Sequence, residues 1–222
     1  MGWRTWRTRW GISRAEVANA ISHGLAVPVG VVGAIILSLR SLRFEDVGHT
    51  VAVSVYGASL VAVLTASTLY HGTASRRQRL KNAFLWLDHS CIYALIAGTY
   101  TPFMLSVMKG ATGTIMLCTV WGLAALGVLS KTALRIGAIR GDAVSIPIYL
   151  GMGWLIVLVI NPFVQLMETG GVILLLAGGL CYSFGVIFFL LRSVYAHFLW
   201  HVMVLAGSGL HYFSVLIYAT PR

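Results

Sequence analysis

Charge is what this sequence has least of. Only 10% of its 222 residues are Asp, Glu, Lys or Arg and 58% are hydrophobic, whereas a soluble domain is usually about 45–50% apolar. That shortage excludes a soluble enzyme or binding module and leaves a polytopic membrane protein. Cysteine is equally sparse. Cys91, Cys118 and Cys181 lie in separate apolar runs with no C-x-x-C pair, which argues against both a disulfide framework and a thiolate metal site. The chain also lacks a linker, a low-complexity tract and an internal repeat, so a single domain over 1–222 is expected. No run carries the sustained polar stripe of a water-filled pathway, and no connection is long enough for a signalling domain.

What is there is a series of apolar runs. A membrane helix needs about 20 residues, and length with punctuation predicts an all-α bundle of seven, near 14–39, 48–70, 83–107, 111–129, 143–160, 171–191 and 196–218. Turns are expected at His71-Gly72, Asn161-Pro162 and Gly170-Gly171. Arg4, Arg7, Arg9 and Arg14 precede the first run as in a signal peptide, but Glu16, Asn19 and His23 interrupt it and no small-residue cleavage site follows. A retained first helix is therefore expected. Trp3, Trp6 and Trp10 alternate with the arginines at helical spacing, the pattern of an interfacial segment over 1–13.

The net charge of +10 comes from Lys and Arg clustered between apolar runs. There is no basic patch interleaved with aromatics, so no nucleic-acid partner is expected. The clusters report topology instead. Twelve Lys or Arg fall on the side of the N-terminus, including Arg76, Arg77, Arg79, Lys81, Lys131, Arg135, Arg140 and Arg192. Four, Arg40, Arg43, Lys109 and Arg222, fall on the other. This places the N-terminus in the cytoplasm and the C-terminus outside, in a plasma (inner) membrane.

Against this apolar background five polar residues stand out. Ser67 and His71 close the second span, Asp88 lies early in the third, and His197 and His201 open the last. Each i, i+4 pair shares a helix face, and the topology brings all five to one depth in the inner leaflet. Ionisable groups in a bilayer survive mainly when paired or metal-bound. Three imidazoles at one depth are the ligand set of a catalytic zinc with an open fourth position, although imidazole also suits copper, iron and nickel. Such a metal lowers the pKa of its water to about 7. Asp88 is placed to deprotonate that water or to orient a ligand, and Ser67 to stabilise an oxyanion or fix the aspartate. The alternative is that each histidine hydrogen-bonds a neighbouring helix.

Other marked residues carry plainer expectations. His23, Asn19 and Glu16 either line the cytoplasmic entrance and bond to the site or merely sit at the interface. His89 points about 100° away from Asp88 and is expected to pair with an adjacent helix. His211, ten residues beyond His201 and about 15 Å along the helix, is too far to share its ion. His49 is expected to be solvated. Pro102 is expected to kink the third span, with Thr101 supplying a replacement hydrogen bond. Glycines at 24, 30, 33, 178, 179, 207 and 209 are expected to let helices approach closely.

Taken together, several motifs resemble the hemolysin III family, the bacterial branch of the progestin and adipoQ receptors. They are Glu16-Val-Ala-Asn19-Ala-Ile-Ser22-His23-Gly24, Ser67-Thr-Leu-Tyr-His71, Asp88-His89-Ser-Cys-Ile-Tyr93, Ala97-Gly98-Thr99-Tyr100-Thr101-Pro102, Tyr149-Leu-Gly-Met-Gly-Trp154 and His197-Phe-Leu-Trp-His201. The resemblance implies a seven-helix bundle with zinc on His71, His197 and His201 near the cytoplasmic face. It also implies that Asp88 contacts the zinc-bound water and that Ser67 is the serine of the wider superfamily that includes alkaline ceramidases. Three functions are compatible with it: a zinc-dependent hydrolase of lipid amide or ester bonds, with membrane lipids as its partners; a pore-forming haemolytic protein with a structural zinc; or a sensor of membrane state.

Overall fold

The computed structural model describes residues 12–133, 138–191 and 193–221, with backbone alone at 133, 138–143 and 194. The interfacial segment expected over 1–13 lies almost wholly outside the described residues, as do Arg135, Arg192 and Arg222. The helices are α1 (Arg14–Ser41), α2 (Val47–Gly72), α3 (Gln78–Pro102), α4 (Ala111–Ala133), α5 (Ala138–Gly153), α6 (Ile160–Leu166), α7 (Thr169–Leu190) and α8 (Val194–Tyr218). Among the described residues seven segments are long and apolar enough to cross a membrane, the fifth running from Val144 to Leu166 through α5 and α6. Large apolar side chains such as Leu25, Val29 and Leu158 are at least 70% exposed, as expected where lipid replaces water as the solvent of the outer face.

Among these spans α3 is the most enclosed, because small residues let its neighbours close on it. A side chain at Gly98 would collide with Ser59 of α2. Similarly, Gly178 of α7 and Gly207 of α8 allow each backbone to meet the other's carbonyl oxygen, about 3 Å from where a Cβ would stand. Gly209 has no such neighbour, so the close-packing role expected of it does not hold. Pro102 ends α3, and the chain continues as a π-helical turn over Phe103–Val107, a common way to absorb a missing N–H. Thr101 donates back to the Ala97 carbonyl (2.9 Å) and accepts from the Trp121 indole of α4 (3.2 Å).

Two expectations are corrected. His49 is buried in the first turn of α2 and bonds Ser106 at 2.8 Å. The Asp46 carboxylate caps that turn through the His49 amide (2.9 Å), drawing the imidazole inward instead of leaving it in solvent. The His49 amide and the Lys109 ammonium hold that exposed carboxyl below its usual range. The turn expected at Asn161-Pro162 is instead the first turn of α6, where proline's missing N–H costs nothing. The chain reverses direction after Leu166.

The fifth span breaks in mid-course. Gly151 and Gly153 weaken the end of α5, and a 3₁₀ segment, Leu155–Val159, joins it to α6. Tyr100 of α3 repairs the break. Its hydroxyl accepts from the Ile156 N–H (2.9 Å) and lies 3.0 Å from the carbonyl oxygens of Met152 and Gly153. Removing the hydroxyl strands a buried N–H and a carbonyl, at a cost of about 1–3 kcal/mol. Tyr100→Phe is therefore expected to unfold at lower denaturant in detergent, and an unchanged midpoint would show that the break needs no cap.

Candidate metal centre

Helix ends position the site. Ser193 caps α8 by accepting from the Ala196 N–H (3.0 Å), which puts His197 in the first turn and His201 one turn on, along one face. His71 sits in the last turn of α2, where a group able to carry positive charge suits the helix dipole. Ser13 caps α1 by accepting from the Glu16 N–H (3.2 Å).

The three imidazoles converge. Their ligand atoms lie within 4.8 Å of one another, with His71 Nε2 and His197 Nε2 3.4 Å apart. The ring centroids of His71 lie 4.8 Å from those of His201 and 5.2 Å from those of His197. His71 and His201 are buried and His197 is half-buried. This is a cluster able to hold a metal ion. Asp88 is partly buried, and its carboxylate takes a hydrogen bond from the Ser67 hydroxyl within electrostatic range of His71 and Lys131.

All five residues line one cavity of about 590 Å³. It opens beside Ser13, Glu16 and Ser193 at the end of the bundle where α1 begins, and runs between the helices to Phe103, Met104, Ile156 and His211. Below the polar mouth its walls are mainly Leu, Ile, Val and aromatic side chains. The size falls within the roughly 300–1,000 Å³ of small-molecule sites.

The neighbouring histidines separate as expected. His89 turns to Lys131 of α4 through Nδ1. Outside the cluster but at the far end of the same cavity, His211 donates through Nε2 to the Leu175 carbonyl at 2.9 Å, while its buried Nδ1 has no partner among the described residues. His23 lines the cavity and stacks on His201, ring centroids 4.0 Å apart.

Contacts from α1 go furthest beyond the sequence. The Glu16 carboxylate takes His71 Nδ1 at 2.6 Å and Lys81 Nζ at 2.9 Å, and Ser22 Oγ meets His201 Nδ1 at 3.2 Å. The motif containing Glu16, Ser22 and His23 marks these residues as candidates, but their partners lie 55 to 179 positions away.

Comparison with known proteins agrees with this architecture. The family model described as Haemolysin-III related matches residues 13–212. Hemolysin-3 of Bacillus cereus is 38% identical over 94% of this chain and 93% of its own length. The hemolysin-3 homolog of Bacillus subtilis (strain 168) is 35% identical over 92% of this chain and 94% of its own. The human monocyte to macrophage differentiation factor is 27% identical over 93% of this chain and 86% of its own. The chain belongs to the haemolysin III family and is a multi-pass membrane protein, for which the plasma membrane is the expected bacterial location.

A ligand that binds only the folded site adds about 2.7 kcal/mol of stability at 100 times its Kd. Divalent transition-metal ions are therefore expected to raise the unfolding temperature of metal-stripped protein, and His197→Ala to abolish the rise. An equal rise in the mutant would put the metal elsewhere.

Proposed function

We propose that His71, His197 and His201 hold a zinc ion and that the protein hydrolyses an amide or ester bond of a membrane lipid. One observation carries this reading: the imidazole cluster and the Asp88–Ser67 pair share the polar mouth of a long, mainly apolar cavity. A tetrahedral ion with Zn–N bonds of about 2.0–2.1 Å sets its nitrogens about 3.3 Å apart, and the His71–His197 separation of 3.4 Å fits that edge. The excess of Lys and Arg at this end of the chain's spans puts the mouth on the cytoplasmic side.

Zinc bound there supplies Lewis acidity and a water acidified to near neutrality. The chain's own groups do the rest. Asp88 accepts the proton of the attacking water as general base and returns it to the leaving amine or alcohol as the C–N or C–O bond breaks, releasing the fatty acid. Ser67, now facing that carboxylate, donates a hydrogen bond to the carbonyl oxygen as negative charge grows on it. The apolar walls hold an acyl chain so that its carbonyl rests at the mouth. Its far end reaches towards His211, about 15 Å from His201 along α8. The Bacillus relatives are named for haemolysis, whereas the mainly apolar cavity supports a lipid-binding role for this chain over a water-filled pore.

Loss of a general base costs about 10²–10⁴ in rate. Asp88→Asn in lipid nanodiscs is expected to keep its metal and to lose hydrolysis of lipid amides or esters by that factor, read by mass spectrometry of the released fatty acid. Wild-type turnover in the mutant would remove Asp88 from this role.

A further inference from the structure

We propose that α1, which supplies no ligand of the three-histidine cluster, sets the tautomer of two that do. Glu16 and Ser22 each take the Nδ1 proton of an imidazole, leaving its Nε2 lone pair facing the centre. The inference rests on the metal-centre reading and concerns how the ligand set is made ready for a cation.

The assignment follows from counting protons. An ionised carboxylate only accepts hydrogen bonds. One Glu16 oxygen receives the Lys81 ammonium at 2.9 Å, so the other, 2.6 Å from His71 Nδ1, must accept a proton-bearing nitrogen. Ser22 has a single hydroxyl proton and donates it to the Asn19 carbonyl at 2.8 Å. Its oxygen, 3.2 Å from His201 Nδ1, is therefore left as the acceptor.

Both rings are thus Nδ1–H tautomers. Their Nε2 atoms carry bare lone pairs, and that of His71 points at His197 Nε2 across 3.4 Å. Without a metal, His197 can answer that lone pair only as the Nε2–H tautomer, and a cation between the two nitrogens would take both lone pairs instead. A carboxylate behind an imidazole also makes the opposite nitrogen a better donor to a metal.

The local sequence supports a dedicated role for Glu16. Ser13-Arg14-Ala15-Glu16 has the S-x-x-E form in which the glutamate would normally reach back to the cap N–H. Instead its carboxylate turns across to α2 and α3. Lys81 completes the link, donating also to the Thr73 carbonyl at 3.4 Å and standing over the Tyr70 ring.

The test combines ¹⁵N NMR of histidine-labelled, metal-free protein in nanodiscs with zinc affinity measured by chelator competition. His71 and His201 are expected to be Nδ1–H in the wild type. Glu16→Ala should mix the His71 tautomers and weaken zinc binding 10–100-fold, with Glu16→Asp in between. Ser22→Ala should do the same for His201 with a smaller loss. Because Ser22→Ala removes only one oxygen, it serves as the check should Glu16→Ala fold poorly. Nε2–H tautomers in the wild type, or unchanged zinc affinity in both alanine variants, would overturn the proposal. A wild type that takes up no zinc would sink the metal reading, while the tautomers of that same protein would still decide this one.

Discussion

A polar group drawn into the interior of this bundle is costly without a partner within the protein, because neither lipid nor an apolar wall supplies one, and the groups left without one among the described residues include atoms of Asn19, His23 and His211 on the cavity wall. That constraint organises the structure. Where the fifth span breaks, the stranded backbone groups are met by a tyrosine from α3. Where α2 begins, an aspartate and a serine take up His49. At the candidate centre the same demand is met twice over, with α1 satisfying one nitrogen of His71 and His201. With His197, these two imidazoles bring their ligand atoms within 4.8 Å of one another, a cluster able to hold a metal ion.

The division of labour among helices follows from this. Helices α2 and α8 bring the imidazoles and α3 brings Asp88. Helix α1 brings only partners, yet it contacts two of the three imidazoles and, through Glu16, ties α2 to α3. The cavity runs from this polar knot into an apolar interior. A lipid whose carbonyl lies at the mouth and whose chain lies below would leave few of its groups in the wrong solvent. This is the physical reason to favour a lipid acyl group as the ligand of the proposed hydrolase.

Much of this was legible in the sequence, for identifiable reasons. Apolar length marks the seven spans, and the i, i+4 spacing of His197 and His201, with His71 near the same end of its helix, anticipates the histidine cluster. What escaped depends on tertiary choice. Glu16 can either close a capping box on its own helix or cross to another, and only the position of His71 and Lys81 decides. Gly151, Gly153 and Pro162 are visible as helix breakers, but the helix resumes at Ile160 because Tyr100, more than fifty positions away, caps the gap. His49 is drawn inward by a short-range cap and a long-range serine together, which hydropathy alone does not reveal. Residues 1–11 lie outside the described structure, so the interfacial role of their tryptophans rests on spacing alone.

If the proposed function holds, α2 and α8 converge to build one zinc site from three imidazoles. X-ray absorption at the zinc edge, on protein purified without added metal, addresses it most directly. The account predicts a single class of zinc with three nitrogen ligands at about 2.0–2.1 Å, a histidine multiple-scattering pattern and an additional oxygen. Absorption showing sulfur ligation, or folded protein with no zinc to absorb, would contradict it.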